Sequence, residues 1–159
     1  MPNLFTGADI LNIGIEAEQL GEQFYTGVAE QAPDQKVMTA CMRLAGEERE
    51  HARLLRQMLA EWDQAQAKLD ASDETMDYVH ALLWQRMLPQ RDDAEALIRG
   101  AKTLTDLFGI AATLEKDSIL FYYEMRELVG QQAQPMVTGI IDQEKSHLAM
   151  VQRLASEMQ

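Results

Sequence analysis

The sequence has little that would support a disulfide-rich, zinc-ribbon or nucleic-acid-binding protein. It holds one cysteine, Cys41, in 159 residues, which excludes an intrachain disulfide framework, a zinc ribbon and a four-cysteine iron site within the chain. Only 14 lysines and arginines stand against 26 aspartates and glutamates, for a net charge of -12. This acidity argues against nucleic acid or an anionic membrane as a partner. Any chemistry that uses the charge must rely on oxygen and nitrogen ligands.

Long apolar runs are also missing. The mostly apolar window 107–114 is soon interrupted by charge, and a bilayer span needs roughly 20 apolar residues. The segment Met1 to Gly7 shows no basic stretch followed by an apolar core and a cleavage site. We therefore expect no signal peptide, no membrane partner and a cytoplasmic location. The length and the apolar content of 47% predict a single domain over residues 1–159.

Proline and glycine are sparse, at four and nine residues, and they fall at plausible segment boundaries. The dominant residues are Ala, Leu, Glu, Gln, Met and Arg, which favour helix. The pattern predicts an all-α fold, a four-helix bundle with a long crossover connection between helices two and three. A short helical piece that ends near Arg99, capped by Asp92 or Asp93, is expected within this connection. The four long helices are predicted at about 9–31, 33–67, 105–128 and 134 onward, and the connection at about 69–104.

Each long helix carries an apolar stripe with residues spaced three or four apart, and the last stripe extends to Met158. Near the middle of each stripe, a glutamate occupies a place where the period calls for an apolar residue. Burying one unpaired carboxylate costs several kcal/mol, against a total stability of about 5 to 15 kcal/mol. We therefore expect positive charge between the four carboxylates. These residues are Glu18, Glu48, Glu115 and Glu144.

Two of these glutamates are followed, three residues later, by a histidine: Glu48 by His51 and Glu144 by His147. Three residues turn a helix by about 300° and advance it by about 4.5 Å, so both side chains point the same way. The sequence predicts a metal site of four carboxylates and two imidazoles, a donor set that suits iron or manganese and also admits zinc. Glu47 and Glu50, which flank the motif in helix two, are expected to point elsewhere.

The candidate ligands form an internal repeat. Glu18 and Tyr25 recur 97 residues later as Glu115 and Tyr122, and the Glu-x-x-His motif recurs after 96 residues. The near-constant offset predicts a pseudo-twofold site to which each half contributes Glu, Glu and His. Tyr25 and Tyr122 lie about 10 Å beyond the glutamate of their own helix, so direct ligation of the same ions is not expected. They are predicted to pack beside the site, either as core residues with a hydrogen-bonded hydroxyl or as catalytic residues that contact the ligands or take part in redox chemistry.

The pattern resembles the rubrerythrin-type branch of the ferritin-like di-iron carboxylate superfamily, and the likeness covers nearly the whole chain. It rests on the motifs at 18–25, 47–52, 115–122 and 144–147. The resemblance implies a ferritin-like bundle and two iron ions held as a di-iron centre by the six candidate ligands. It also implies an oxidoreductase that reacts with peroxide or dioxygen, a link to oxidative stress, and a homodimer.

The chain departs from full rubrerythrins in two respects. It has no cysteine-rich rubredoxin-like domain, so an external electron donor is expected. The extra glutamate that rubrerythrins carry one turn after the third-helix ligand is replaced by Ser118, which argues against a redox-linked ligand exchange. Glu22, one turn past Glu18, is left with three interpretations: an extra ligand, an acceptor for a histidine, or an exposed residue.

Two alternative functions follow from the same residues. The first is an iron-binding protein with ferroxidase-type iron handling or storage in place of peroxidase turnover. Storage in a bacterioferritin-like shell is the weaker form, because Arg49 stands where bacterioferritin has its haem-binding methionine. The second is a metal-free bundle that serves as a scaffold for a partner.

Overall fold

The computed structural model describes residues 7–65, 77, 78, 81 and 94–158, and its regular structure there is helical throughout. The prediction of an all-α fold with four long helices is confirmed. Five helices have defined bounds in the described part of the chain. They are α1 (Gly7–Glu30), α2 (Gln35–Ala65), α3 (Ala94–Gly100), α4 (Leu104–Leu128) and α5 (Gln134–Ser156).

The start of α2 lies two residues later than predicted. Pro33 is not in the first turn of this helix, because the carboxylate of Asp34 caps it by accepting a hydrogen bond from the backbone N–H of Val37 at 2.9 Å. At the start of α4, Thr103 and Asp106 form a capping box in which each side chain accepts a hydrogen bond from the other residue's backbone N–H.

The prediction that Met158 belongs to an inward stripe is wrong. Helix α5 ends at Ser156, and Met158 lies beyond it with 40% of its surface exposed. Helix α3 lies within the predicted crossover connection and packs against α1. Its expected caps, Asp92 and Asp93, lie outside the described residues, as do most other positions of that connection.

The long helices pack as two helical hairpins, α1 with α2 and α4 with α5. Between the hairpins, Tyr122 of α4 contacts Glu18 of α1, and Tyr25 of α1 contacts Glu115 of α4. As the residue number increases along α1, from 18 to 25, the number of the contacting residue in α4 decreases from 122 to 115. These two helices are therefore antiparallel. Because α1 is also antiparallel to α2, helices α2 and α4 run in the same direction. The end of α2 and the start of α4 therefore lie at opposite ends of the bundle, which accounts for a long connection between them.

The apolar core is divided into two clusters by a polar layer. One cluster includes Leu11, Leu55 and Phe121, and the other includes Phe24 and Phe108. The four mid-helix glutamates lie between these clusters along the chain, so the fold buries them at the centre of the bundle. None of the helices in the described ranges is long and apolar enough to cross a membrane.

Candidate metal centre

The structure brings all six predicted ligands together in the bundle core. Every one of them is buried, with at most 4% of its surface exposed. One donor atom from each of four residues lies within 4.8 Å of the others in two overlapping groups. The first group is Glu18, Glu48, His51 and Glu144, and the second is Glu48, Glu115, Glu144 and His147.

The two groups share Glu48 and Glu144, so these carboxylates lie between two neighbouring positions. Each position then has one glutamate and one histidine of its own. This arrangement has the pseudo-twofold character that the repeat predicts, with one hairpin supplying Glu18, Glu48 and His51. The His51 and His147 rings stack across the pseudo-axis with centroids 5.6 Å apart.

Both histidines turn Nδ1 toward the carboxylates. His51 Nδ1 lies 2.8 Å from an oxygen of Glu144 and 3.4 Å from oxygens of Glu18 and Glu48. His147 Nδ1 lies 3.5 Å from an oxygen of Glu48 and 3.6 Å from oxygens of Glu115 and Glu144. Donors that each lie about 2.1 Å from one ion are separated from one another by roughly 3 Å. The spacing therefore fits a metal ion at each position.

The outer nitrogen of each histidine has a partner from the opposite hairpin. His51 Nε2 lies 2.6 Å from Gln143 Oε1, and His147 Nε2 lies 2.6 Å from Glu47 Oε2. Both are acceptor oxygens, so each Nε2 carries a proton and donates it; once Nδ1 is deprotonated, its lone pair is directed at the core.

The expectation that Glu47 points elsewhere is wrong, since its position on α2 turns its carboxylate toward the His147 ring of α5. Its neighbour Glu50 does point away, and pairs with Arg53 at 2.7 Å on the surface. Gln143 was not among the predicted site residues. The repeat carried a signal for both, because Glu47 and Gln143 precede the two motif glutamates at the same 96-residue offset.

Tyr25 and Tyr122 contact the site across the bundle. The Tyr25 hydroxyl donates a hydrogen bond to Glu115, and the Tyr122 hydroxyl donates one to Glu18. Each tyrosine therefore binds the glutamate of the opposite hairpin. Burial and the charge of the facing carboxylate raise the pKa of both phenols well above 10, so both remain neutral donors.

Four carboxylates in one buried layer cannot all be ionised without compensating charge. Burial and repulsion from neighbouring glutamates raise the pKa of Glu18 and Glu144 well above their usual range. Burial alone would lower the pKa of the histidines, but their contacts with the carboxylates outweigh it, and the pKa of His147 rises to about 11. The pKa of His51 is raised for the same reason. The proton on His147 offsets part of the negative charge of this layer in the metal-free protein.

Five donor atoms of the six residues are buried and have no hydrogen-bond partner in the described part of the chain. They are Glu48 Oε2, His51 Nδ1, Glu115 Oε2, Glu144 Oε1 and His147 Nδ1. Buried polar atoms are nearly always paired, and all five belong to the two groups that surround the proposed positions. Two divalent cations would satisfy them and would offset the four carboxylates with four positive charges.

Two further residues define what surrounds the site. Glu22 pairs with Arg49 at 2.7 Å and is partly exposed, so of its three interpretations the structure supports that of a surface residue. Gly21 lies beside Glu48, and a Cβ atom placed there would lie 3.3 Å from two of its side-chain carbons. The glycine therefore leaves room for the carboxylate of Glu48.

Comparison with known proteins agrees with this geometry. The rubrerythrin family model matches residues 9–155. A crystal structure of a proposed ferritin-like diiron-carboxylate protein from Thermotoga maritima superposes with a TM-score of 0.77 and 32% sequence identity, over 100% of both chains. A search of curated proteins found no match. The match over nearly the whole length, together with the bundle and its glutamate and histidine layer, shows that the chain belongs to the rubrerythrin family.

Proposed function

We propose that this protein binds two iron ions in the bundle core and acts as an oxidoreductase that reduces peroxide or dioxygen there. The observation that carries the proposal is the set of five buried donor atoms that face two adjacent positions without hydrogen-bond partners among the described residues. A metal-free scaffold would have no need for this costly layer. The family to which the chain belongs supports iron over manganese or zinc.

The side chains divide the work by position. Glu48 and Glu144 belong to both groups and would help to hold both ions. Glu18 with His51, and Glu115 with His147, would each hold one ion. The hydroxyls of Tyr122 and Tyr25 orient the two outer carboxylates, and burial of the layer restricts access by water.

Two bound iron ions supply two one-electron redox centres side by side. Reduction of one hydrogen peroxide to two waters takes two electrons and two protons, and an external donor would return the electrons. The Tyr25 and Tyr122 hydroxyls donate hydrogen bonds to the outer glutamates Glu115 and Glu18, which fixes the orientation of these two carboxylates. We assign them an orienting role. An external donor, a cytoplasmic location and a homodimer remain parts of this proposal.

A second candidate is ferroxidase-type iron handling, in which oxidised iron leaves the site. It is favoured by the lack of a spare carboxylate one turn after either outer glutamate. Glu22 is engaged by Arg49, and residue 118 is a serine. At these two positions the described residues therefore supply no additional carboxylate ligand.

Stopped-flow oxidation of the anaerobically iron-loaded protein separates the two candidates. The oxidoreductase proposal expects the iron to be retained through repeated cycles of oxidation and reduction, and a faster reaction with peroxide than with dioxygen would identify peroxide as the substrate. If dioxygen reacts at least as fast and the iron is lost to a chelator after each oxidation, iron handling is the function. Glu22→Gln serves as a control that removes a nearby acid without removing a ligand.

A further inference from the structure

The two halves of the metal centre differ in the residues that contact the outer nitrogens of the two histidines. The six ligands and the two tyrosines are of the same type in both halves, and so are the aromatic pairs Phe24–Tyr25 and Phe121–Tyr122. The acceptors of the histidine Nε2 protons are not: His147 donates to the carboxylate of Glu47, whereas His51 donates to the amide of Gln143. The distances are the same, at 2.6 Å, so the chemical difference is one of charge.

A second difference fixes the charge of Glu47. Its Oε1 accepts a hydrogen bond from Arg43 at 2.8 Å, while its Oε2 faces His147. The residue equivalent to Arg43 in the other half is Gly139, which has no side chain to place a cation beside Gln143 from that position. The Glu47 carboxylate thus lies between the guanidinium of Arg43 and the imidazole of His147. Glu47 directly precedes the candidate ligand Glu48 in the sequence. Its side chain is only 29% exposed, which limits screening by solvent.

An anionic acceptor on the outer N–H of an imidazole increases electron density at the other nitrogen and makes it a better metal ligand. A neutral amide gives the same orientation with less of this effect. Replacement of such outer partners changes metal affinity by about 10- to 100-fold. In this protein only His147 has an anionic acceptor on its outer nitrogen, so only the metal position next to His147 gains this increase in affinity.

We infer that Glu47 makes the two metal positions unequal. The position bounded by Glu48, Glu115, Glu144 and His147 binds a divalent ion more tightly than the position bounded by Glu18, Glu48, Glu144 and His51. Glu47 is a positioning residue that acts through His147 and does not touch the metal. This inference rests on the proposed function, since it concerns the same pair of metal positions.

The test is anaerobic calorimetry with ferrous ion alone, together with Mössbauer spectra of the protein loaded with one equivalent of ⁵⁷Fe. We expect the wild-type protein to bind two ions in two resolved steps, with the first equivalent giving mainly one ferrous site. Glu47→Gln makes the two halves alike and retains the shape of the side chain. It should weaken the first step by about 10- to 100-fold and distribute one equivalent of iron over both positions.

Two further variants separate this effect from others. Gln143→Glu places a carboxylate on His51 and should strengthen the second step, which a purely structural role for the acceptor does not predict. Glu50→Gln removes the same charge from the neighbouring surface, where Glu50 pairs with Arg53, and should leave both steps unchanged.

Two equal steps in the wild-type protein, or equal effects of Glu47→Gln and Glu50→Gln, would overturn the inference. Failure of the proposed function looks different, because the wild-type protein would then bind no ferrous ion in the core at all. Urea unfolding of each metal-free variant checks that the fold is retained. If Glu47→Gln fails this check, Gln143→Glu becomes the deciding measurement.

Discussion

Gly21 provides a sharp test of how tightly the packing positions Glu48, which belongs to both groups of candidate ligands. A Cβ atom at this residue would lie 3.3 Å from Glu48 Cδ and Cγ and 3.4 Å from its Oε1. Carbon atoms in optimal contact are about 3.5–4.0 Å apart, so in Gly21→Ala the Glu48 carboxylate must move by a few tenths of an ångström. Metal–ligand distances tolerate only about 0.2 Å.

The expected effects on stability and on metal binding have opposite signs. Replacing a glycine inside a helix by alanine stabilises it by about 0.5–1 kcal/mol, and the displaced carboxylate offsets part of this gain in the metal-free protein. We therefore expect Gly21→Ala to change the free energy of unfolding by less than about 1 kcal/mol. Because Glu48 belongs to both metal groups, affinity for ferrous ion should fall at both positions by about tenfold or more.

Gly46→Ala is the matched control, because Gly46 lies on the exposed face of α2 and a Cβ atom there meets nothing within 4 Å. It should gain the same helical stability and leave the metal affinity unchanged. The assays are urea unfolding of the metal-free proteins and anaerobic calorimetry with ferrous ion. Equal ferrous affinity in Gly21→Ala and Gly46→Ala would refute the argument that Gly21 makes room for a ligand.

Two other predictions concern the groups around the ligands. Tyr122→Phe leaves an oxygen of buried Glu18 without its hydroxyl partner and should lower the free energy of unfolding by about 1–3 kcal/mol; Tyr123→Phe, at the half-buried neighbouring position, should cost less, and equal costs in urea unfolding would count against the hydrogen bond. Contacts with Glu115 and Glu48 raise the pKa of His147 to about 11, so at neutral pH this imidazole holds a proton that a metal must displace. Ferrous affinity should therefore rise from about pH 6 to about pH 8 with release of protons, and calorimetry in buffers of different ionisation enthalpy that detects no proton release would contradict this.

The long helices and the six ligands were accessible from sequence because both depend on the 3.6-residue period. An apolar stripe shows which face of a helix is buried, so a carboxylate such as Glu115 within a stripe must be buried too. The three-residue spacing of Glu48 and His51 then places both on that face. Predicting that these residues face the core requires no information about how the helices cross.

Contacts that depend on helix crossing could not be read in this way. Glu47 lies one residue before Glu48, about 100° away around α2, and reaches His147 only because α5 passes beside it. Tyr25 is two turns from Glu18 on its own helix, yet the antiparallel packing of α1 and α4 sets it against Glu115. The cap at Asp34 depends instead on local backbone geometry, and with it α2 begins at Gln35, after Pro33.

The most direct test of the proposed centre is the metal content of the protein after anaerobic loading with ferrous ion and removal of excess iron. We predict two iron ions per chain in the wild-type protein. Glu18→Ala, which removes a ligand of a single position, should hold one. Glu144→Ala, which removes a ligand shared by both positions, should hold neither tightly. Less than about one iron per chain in the wild-type protein, or two in Glu144→Ala, would contradict the proposed centre.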